Sequence, residues 1–300
     1  MKLLITGANG LLGQKLVREC DARGIEVIAT GVGKNRNLPG QYHYVPLDIC
    51  DPQQVKSAIA KFRPDVVINT AAMTQVDQCE TDREACYTLN VRSVSYLIEA
   101  CRESHSFLLH LSTDFIFDGK NGPYKETDEP NPLSYYAETK LESEKLLEAS
   151  GIDWAIARTM LVYGIVHDMS RSNIILWVKQ NLEQGKKIKV VNDQWRMPTL
   201  AEDLAKGCLL IAQKRAQGIF HLSGKDMLTP YNIAVATAEF FKLDPQLIEE
   251  VDGTVFSQTA RRPARTGFVL DKARTRLGYE PVGFSDGIAI LSGQLDRLSQ

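Results

Sequence analysis

In the first half of the chain, short apolar runs alternate with longer stretches whose apolar positions recur every three to four residues. "KLLIT" is one such run and is cut off by Gly7; a helical pattern follows from Leu11 to about Arg23. "IEVIAT" is the next strand, then a Gly/Asn-rich loop, then "YHYVPL". A helix over about 52–62 leads to "DVVINTAA", a longer helical stretch covers about 82–104, and "FLLHLS" follows. The segment "SYYAETKLESEK" is helical and gives way to "WAIARTMLVYG". Strands alternating with amphipathic helices predict βαβ units and a parallel sheet. Strands apolar on both faces predict a sheet covered by helices on both sides.

The second half is less regular. "SNIILWVKQNLEQG" reads as a helix ended by Gly185, "KIKVV" as a strand, "AEDLAKGCLLIAQK" as a helix and "GIFHLSG" as a strand. "PYNIAVATAEFFK" is a helix opened by Pro230, and "DKARTRLG" and "FSDGIAILSGQLDRL" are also helical. There is no repeat and no low-complexity linker. The boundary near residues 160–170 is soft, and later segments are free to return to the first sheet.

Bulk composition narrows the function classes. With 300 residues, the chain can bury a large core as one domain or two. Its hydrophobic fraction of 44% and charged fraction of 24% are ordinary for a soluble globular protein. A net charge of −2 offers no general attraction to nucleic acid or to an anionic membrane. No segment nears the ~18 apolar residues of a transmembrane helix. "MKLLITG" runs straight into a turn and is too short for a signal sequence. The six cysteines form no CxxC and no Cys/His cluster, which fits a reduced cytoplasm and predicts no metal site.

The chemistry-bearing residues collect where parallel strands end. "ITGANGLLG" sets Gly7, Gly10 and Gly13 between the first strand and the first helix. A tight glycine turn there lets backbone approach a pyrophosphate, whose charge sits on the helix N-terminus. The second strand usually ends in an acid that binds an NAD ribose; "IATGVGKNRN" has none and offers Lys34 and Arg36, which suit a 2′-phosphate or are two charges on a solvated loop. Asp48, with its neighbour Ile49, follows the third strand, where it meets adenine or caps a turn. Small residues in "NTAAMT" let a ring or ribose lie against backbone, or reflect close packing. "LSTDFIFDG" ends the fifth strand with Ser112, Thr113 and Asp114. Tyr136 stands four residues before Lys140, so the two share a helix face. A lysine beside a phenol favours phenolate and lowers a pKa of ~10. With Thr113 holding a carbonyl, such a trio beside a nicotinamide reduces a ketone by hydride plus proton. His110 and His221, on apolar strands, read as satisfied core histidines, and Trp154 and Trp177 as core.

"TGANGLLG", Asn90 in "LNVRS", Thr113 in "STDFIF" and the Tyr136/Lys140 pair together resemble the extended short-chain dehydrogenase/reductases. "INTAAMTQVDQCE", "STDFIFDG", "YKETDEPNPLSYYAETKLESE" and "DQWRMPTLAEDLA" are similar to the dTDP-4-dehydrorhamnose reductase family. The likeness is specific up to about Gly164 and thins after Leu210. It implies a Rossmann-type doubly wound sheet over residues 1–165 that takes NADP(H), and a smaller C-terminal part, 166–300, that holds a nucleotide sugar. Carried over by motif, Thr113, Tyr136 and Lys140 are catalytic, and Asn90 supports a proton relay. The cofactor would lie along Gly7, Asn9, Gly10, Leu11, Leu12 and Gly13, then Lys34 and Arg36, Asp48 and Ile49, then Ala71, Ala72 and Thr74, reaching Tyr136 and Lys140. Asp114, Arg196 and Arg262 would meet substrate; the last sits in the basic stretch "ARRPARTGF", which equally reads as a solvated loop. Two departures fall in the substrate half: Leu161 stands where the family has a tryptophan, and the insert "WRM" brings Trp195 and Arg196.

The reading is an NADPH-dependent reductase of a 4-keto nucleotide sugar, dTDP-4-dehydro-L-rhamnose first among them. A sugar-nucleotide epimerase or dehydratase shares the Tyr/Lys pair but keeps NAD, against which the missing acid argues. The regulatory subunit of methionine adenosyltransferase resembles the same group and binds NADP as a partner protein. A homodimer is left open.

Overall fold

The computed structural model describes residues 1–168, 172–256 and 259–298. Its strands are β1 (Lys2–Thr6), β2 (Glu26–Gly31), β3 (His43–Pro46), β4 (Val66–Asn69), β5 (Phe107–Thr113), β6 (Trp154–Thr159), β7 (Val162–Tyr163), β8 (Ile188–Val191), β9 (Thr199–Leu200), β10 (Gly218–His221) and β11 (Ile248–Val251). The helices are α1 (Leu11–Ala22), α2 (Pro52–Phe62), α3 (Val76–Thr81), α4 (Arg83–Tyr87), α5 (Ser93–Ser104), α6 (Tyr135–Glu148), α7 (Ile174–Glu183), α8 (Ala201–Lys214), α9 (Pro230–Phe241), α10 (Asp271–Leu277) and α11 (Phe284–Leu298).

Seven strands form one parallel sheet in the order β10-β6-β5-β4-β1-β2-β3. This is a Rossmann-type doubly wound sheet, and strand order reverses between β1 and β4. Alternation along each strand sorts its side chains to two cores. Leu3 and Ile5 of β1 and Phe107 and Leu109 of β5 face α1, α8 and α10, where they meet Leu16, Val17, Cys208, Ile211 and Leu277. Leu4 and Leu108 face the other way, toward Val55 and Ile59 of α2, Val94 and Leu97 of α5 and Leu147 of α6. Thus α8, β10 and α10 complete the sheet and one of its faces, although they follow residue 166.

The remaining elements make a smaller layer. β8 and β11 pair in parallel and pack Ile188, Val190 and Ile248 against Val178 and Leu182 of α7 and Ala234 and Ala238 of α9. β7 and β9 pair beside them, and Tyr163 and Leu200 join Phe284 and Ile288 of α11. No helix among the described residues is long and apolar enough to cross a membrane.

Two elements differ from the sequence expectation. The expected long helix over 82–104 is α4, a π-helical turn at Thr88–Arg92, and α5. The expected strand "WAIARTMLVYG" breaks after Thr159, because Leu161 takes a left-handed conformation (φ 40°) and re-aims the chain into β7.

Candidate active site

The carboxyl ends of β1, β2, β4 and β5 share one edge, and each carries part of the site. At β1 the turn Gly7–Gly10 closes with the Gly10 amide donating to the Gly7 carbonyl at 2.9 Å. Gly7 has φ 65°, and a Cβ there would lie 2.8 Å from the Ala71 amide nitrogen. A Cβ on Gly13 would stand 2.3 Å from the Gly7 carbonyl oxygen. Only glycine lets the loop, the helix and the β4 exit pack this closely. Helix α1 then opens at Gly10 without a side-chain cap and with no acid in its first turn, where Leu11 and Leu12 are half-buried. Its first N–H groups are left for an anion, which fits a pyrophosphate.

Asn9 organises the neighbouring loop. Its Nδ2 donates to the carbonyls of Val32 and Lys34 at 3.1 and 3.0 Å, and its Oδ1 accepts from the Arg36 amide at 2.9 Å. Lys34 is exposed, and the Arg36 guanidinium is 3.5 Å from Asp168 and two-fifths exposed. The backbones of both basic residues are therefore tied to the glycine loop through Asn9, with no acid at the end of β2. Asp48 is exposed and its Oδ1 accepts from the Cys50 amide at 2.9 Å, which is the turn-capping role, and Ile49 packs into the core. At the end of β4, Ala71 and Ala72 are half-buried and Thr74 is exposed.

Helix α6 starts at Ser134, whose side chain accepts from the Ala137 amide, so Tyr136 occupies the first turn and Lys140 the next. Tyr136 is 8% exposed, backed by Cys79 and Cys86, with the Phe115 ring edge-on at 6.1 Å. Thr113, at the end of β5, is 7% exposed and donates its hydroxyl hydrogen to Asp114 at 3.2 Å. Burial pushes the Tyr136 pKa up, and this outweighs the lowering effect of the Thr113 hydroxyl. The sequence expectation that Lys140 lowers it is corrected here: in this state the group is a neutral phenol, because desolvation dominates.

Lys140 is 2% exposed and its Nζ lies 2.9 Å from Nε2 of His110. Burial lowers its pKa to about 8. His110 is a satisfied histidine, as its apolar strand predicts, and the lysine is one of its partners, with Asn69 and Ser143. Its position on the β5 face that α6 covers was readable from the strand's period of two; the pairing was not. His221 stacks on Phe268 at 3.8 Å, away from the trio.

Asn90 sits on the π-helical turn and is 1% exposed. Its Oδ1 accepts from the Met73 amide at 2.9 Å, while its Nδ2 donates to the Met73 carbonyl at 3.1 Å and to Thr139 Oγ1 at 3.2 Å. The side chain thus clamps the β4 exit to α6, a task for which the sequence carries no signal, and π-turns recur at functional sites.

Two expected substrate ligands are turned inward. Arg196 is 5% exposed; its guanidinium donates to the carbonyls of Trp195, Pro263 and Ala264 and lies 3.6 Å from Asp114. Asp114 is 2% exposed and accepts from Thr113 and Thr266. A buried guanidinium and carboxylate need such partners, so this pair fastens the loop between β8 and β9 to the end of β5. Arg262 is one-fifth exposed and paired with Asp77 at 2.7 Å. Trp195 and Leu161 remain more than one-third exposed.

The chain matches the model described as the RmlD substrate binding domain over residues 1–295. It is 33% identical to a dTDP-4-dehydrorhamnose reductase of Aggregatibacter actinomycetemcomitans, over 93% of this chain and 94% of that one. It is also 33% identical to methionine adenosyltransferase 2 subunit beta of Danio rerio, over 81% of this chain and 74% of the other. A dTDP-4-dehydrorhamnose reductase structure from Clostridium acetobutylicum superposes with a TM-score of 0.85 and 28% identity, covering 99% and 100% of the two chains. With a family match over nearly its whole length, the chain belongs to the RmlD family of extended short-chain dehydrogenase/reductases.

Proposed function

We propose that this protein is an NADPH-dependent reductase of 4-keto nucleotide sugars, acting on dTDP-4-dehydro-L-rhamnose at C4. The observation that carries the reading is the convergence of Thr113 with a buried, neutral Tyr136 at the sheet edge that also bears the glycine loop. A neutral phenol is the form a general acid needs. A bound nicotinamide supplies hydride. Thr113 orients the ketone oxygen, Tyr136 gives that oxygen its proton, and Lys140 holds the nicotinamide ribose. The glycine loop and the α1 terminus take the pyrophosphate, and Lys34 and Arg36 take the 2′-phosphate.

The sugar reading leans on the relative of Aggregatibacter actinomycetemcomitans. Exposed Trp195 is the candidate wall for the sugar in place of the aromatic residue absent at Leu161. Of the expected ligands, Arg262 stays with the proposal, sharing its charge between Asp77 and the diphosphate. The experiment is NADPH consumption with dTDP-4-dehydro-L-rhamnose and product identification. Reduction of another ketosugar alone would keep the reaction and change the sugar. A second reading, a cofactor-binding regulatory subunit, has the subunit-beta relative behind it. Tight NADPH binding with no ketosugar reduced would favour that reading.

A further inference from the structure

The hydrogen bonds around Lys140 set a property of the free protein. His110 Nδ1 faces Asn69 Nδ2 at 3.1 Å. The orientation of that carboxamide is set on its other side, where Oδ1 accepts from Thr6 Oγ1 at 2.6 Å and from the Ala71 amide at 3.3 Å. Asn69 is therefore the donor and Nδ1 the acceptor. Burial keeps the imidazole neutral, with one proton, which must sit on Nε2. Nε2 lies 3.1 Å from Ser143 Oγ, whose own hydrogen is given to the Lys140 carbonyl at 2.7 Å, and 2.9 Å from Lys140 Nζ. An ammonium finds no acceptor on a protonated ring nitrogen; a neutral amine does find a donor there.

The other charged or titratable groups around Lys140 do not replace that acceptor. Glu144, one turn further on, is committed to Arg158 of β6 at 2.7 Å. Cys86 of α4 bonds to Thr139 and Asn90. Tyr136, one turn before, is kept a neutral phenol by burial. Nε2 is the hydrogen-bond partner of Nζ among the described residues.

We propose that His110 is a positioning residue that, held as its Nε2–H tautomer by Asn69, biases Lys140 toward the neutral amine in the free protein, so that cofactor binding draws a proton onto Lys140. The inference rests on the reading that NADP(H) lies along this edge. Ribose hydroxyls and phosphates bring the acceptors and negative charge that His110 withholds. The proton comes from solvent, and no bond other than N–H forms.

The test is calorimetric titration of the full chain with NADP⁺ in two buffers of different ionisation enthalpy, at about pH 9, where the cofactor's phosphates no longer titrate. The wild type is expected to take up close to one proton per cofactor. Lys140→Met should lose the uptake. His110→Gln, which presents a carbonyl acceptor toward Nζ, should keep Lys140 charged throughout and cut the uptake by at least half. Binding without uptake, or equal uptake in Lys140→Met, overturns the coupling and leaves the cofactor reading intact. Absence of binding overturns both. Independently of any cofactor, ¹⁵N-histidine NMR should show His110 as the Nε2–H tautomer; an Nδ1–H tautomer refutes the role given to Asn69.

Discussion

Replacing Asn90 by alanine removes a clamp whose parts can be costed separately. The Met73 amide loses its side-chain partner, the Met73 carbonyl is left with the Cys79 thiol at 3.8 Å, and Thr139 Oγ1 loses a donor. A deserted buried polar group costs about 1–3 kcal/mol. Met73 is half-buried, so water can replace part of its loss, and Thr139 Oγ1 keeps its own bond to the Tyr136 carbonyl at 2.8 Å. The low end therefore applies, and the sum is roughly 2–4 kcal/mol. Asn90→Asp should do no better, since a carboxylate oxygen would then face the Met73 carbonyl. The damage is directional: it frees the segment after β4, which carries Ala71 and Ala72, from α6, which carries Tyr136 and Lys140. Urea unfolding should register the lost stability, and fluorescence titration should register weaker NADPH binding. A variant within about 0.5 kcal/mol of the parent, with unchanged NADPH affinity, would refute the clamp.

Tyr136→Phe should abolish ketone reduction while NADPH still binds, since a positioned general acid is worth ~10²–10⁴-fold; rates within a few-fold of the parent would remove Tyr136 from the mechanism. NADPH should be preferred to NADH by about tenfold to a hundredfold, the value of a charge-assisted contact, and Lys34→Ala with Arg36→Ala should erase the difference; equal affinity in the wild type would mean that the basic loop points away. Lys140 has a folded pKa of about 8 against 10.5 for the free side chain, so between those values the unfolded chain holds the proton the folded protein lacks, and stability rises with pH. Lys140→Met should therefore be the more stable protein below pH 8, by roughly 3 kcal/mol at most, and lose that advantage toward pH 10.5, as read from urea midpoints across the range; a pH-independent difference would contradict this.

Local pattern alone was enough for much of this molecule. The alternation of apolar runs with 3.6-period stretches dictates a parallel, doubly covered sheet, because a strand apolar on both faces has nowhere else to go. Gly7, Gly10 and Gly13 were legible because their spacing is tied to one tight turn, and Tyr136 and Lys140 because residues four apart on a helix must share a face. What tertiary structure decided is the state of those groups. Burial makes Tyr136 a neutral phenol and depresses Lys140, reversing the pKa argument that their spacing invites, since desolvation depends on all the chain that packs around them. Arg196 and Asp114, which read as substrate ligands, became a buried pair with the carbonyls of residues 263 and 264 because their partners are distant in sequence. His110 acquired its meaning only when β5 was laid under α6 and beside β4, which set Lys140 at one ring nitrogen and Asn69 at the other. Periodicity places a side chain on a face, but only the packed fold determines which polar group it meets there, and so which protons it holds.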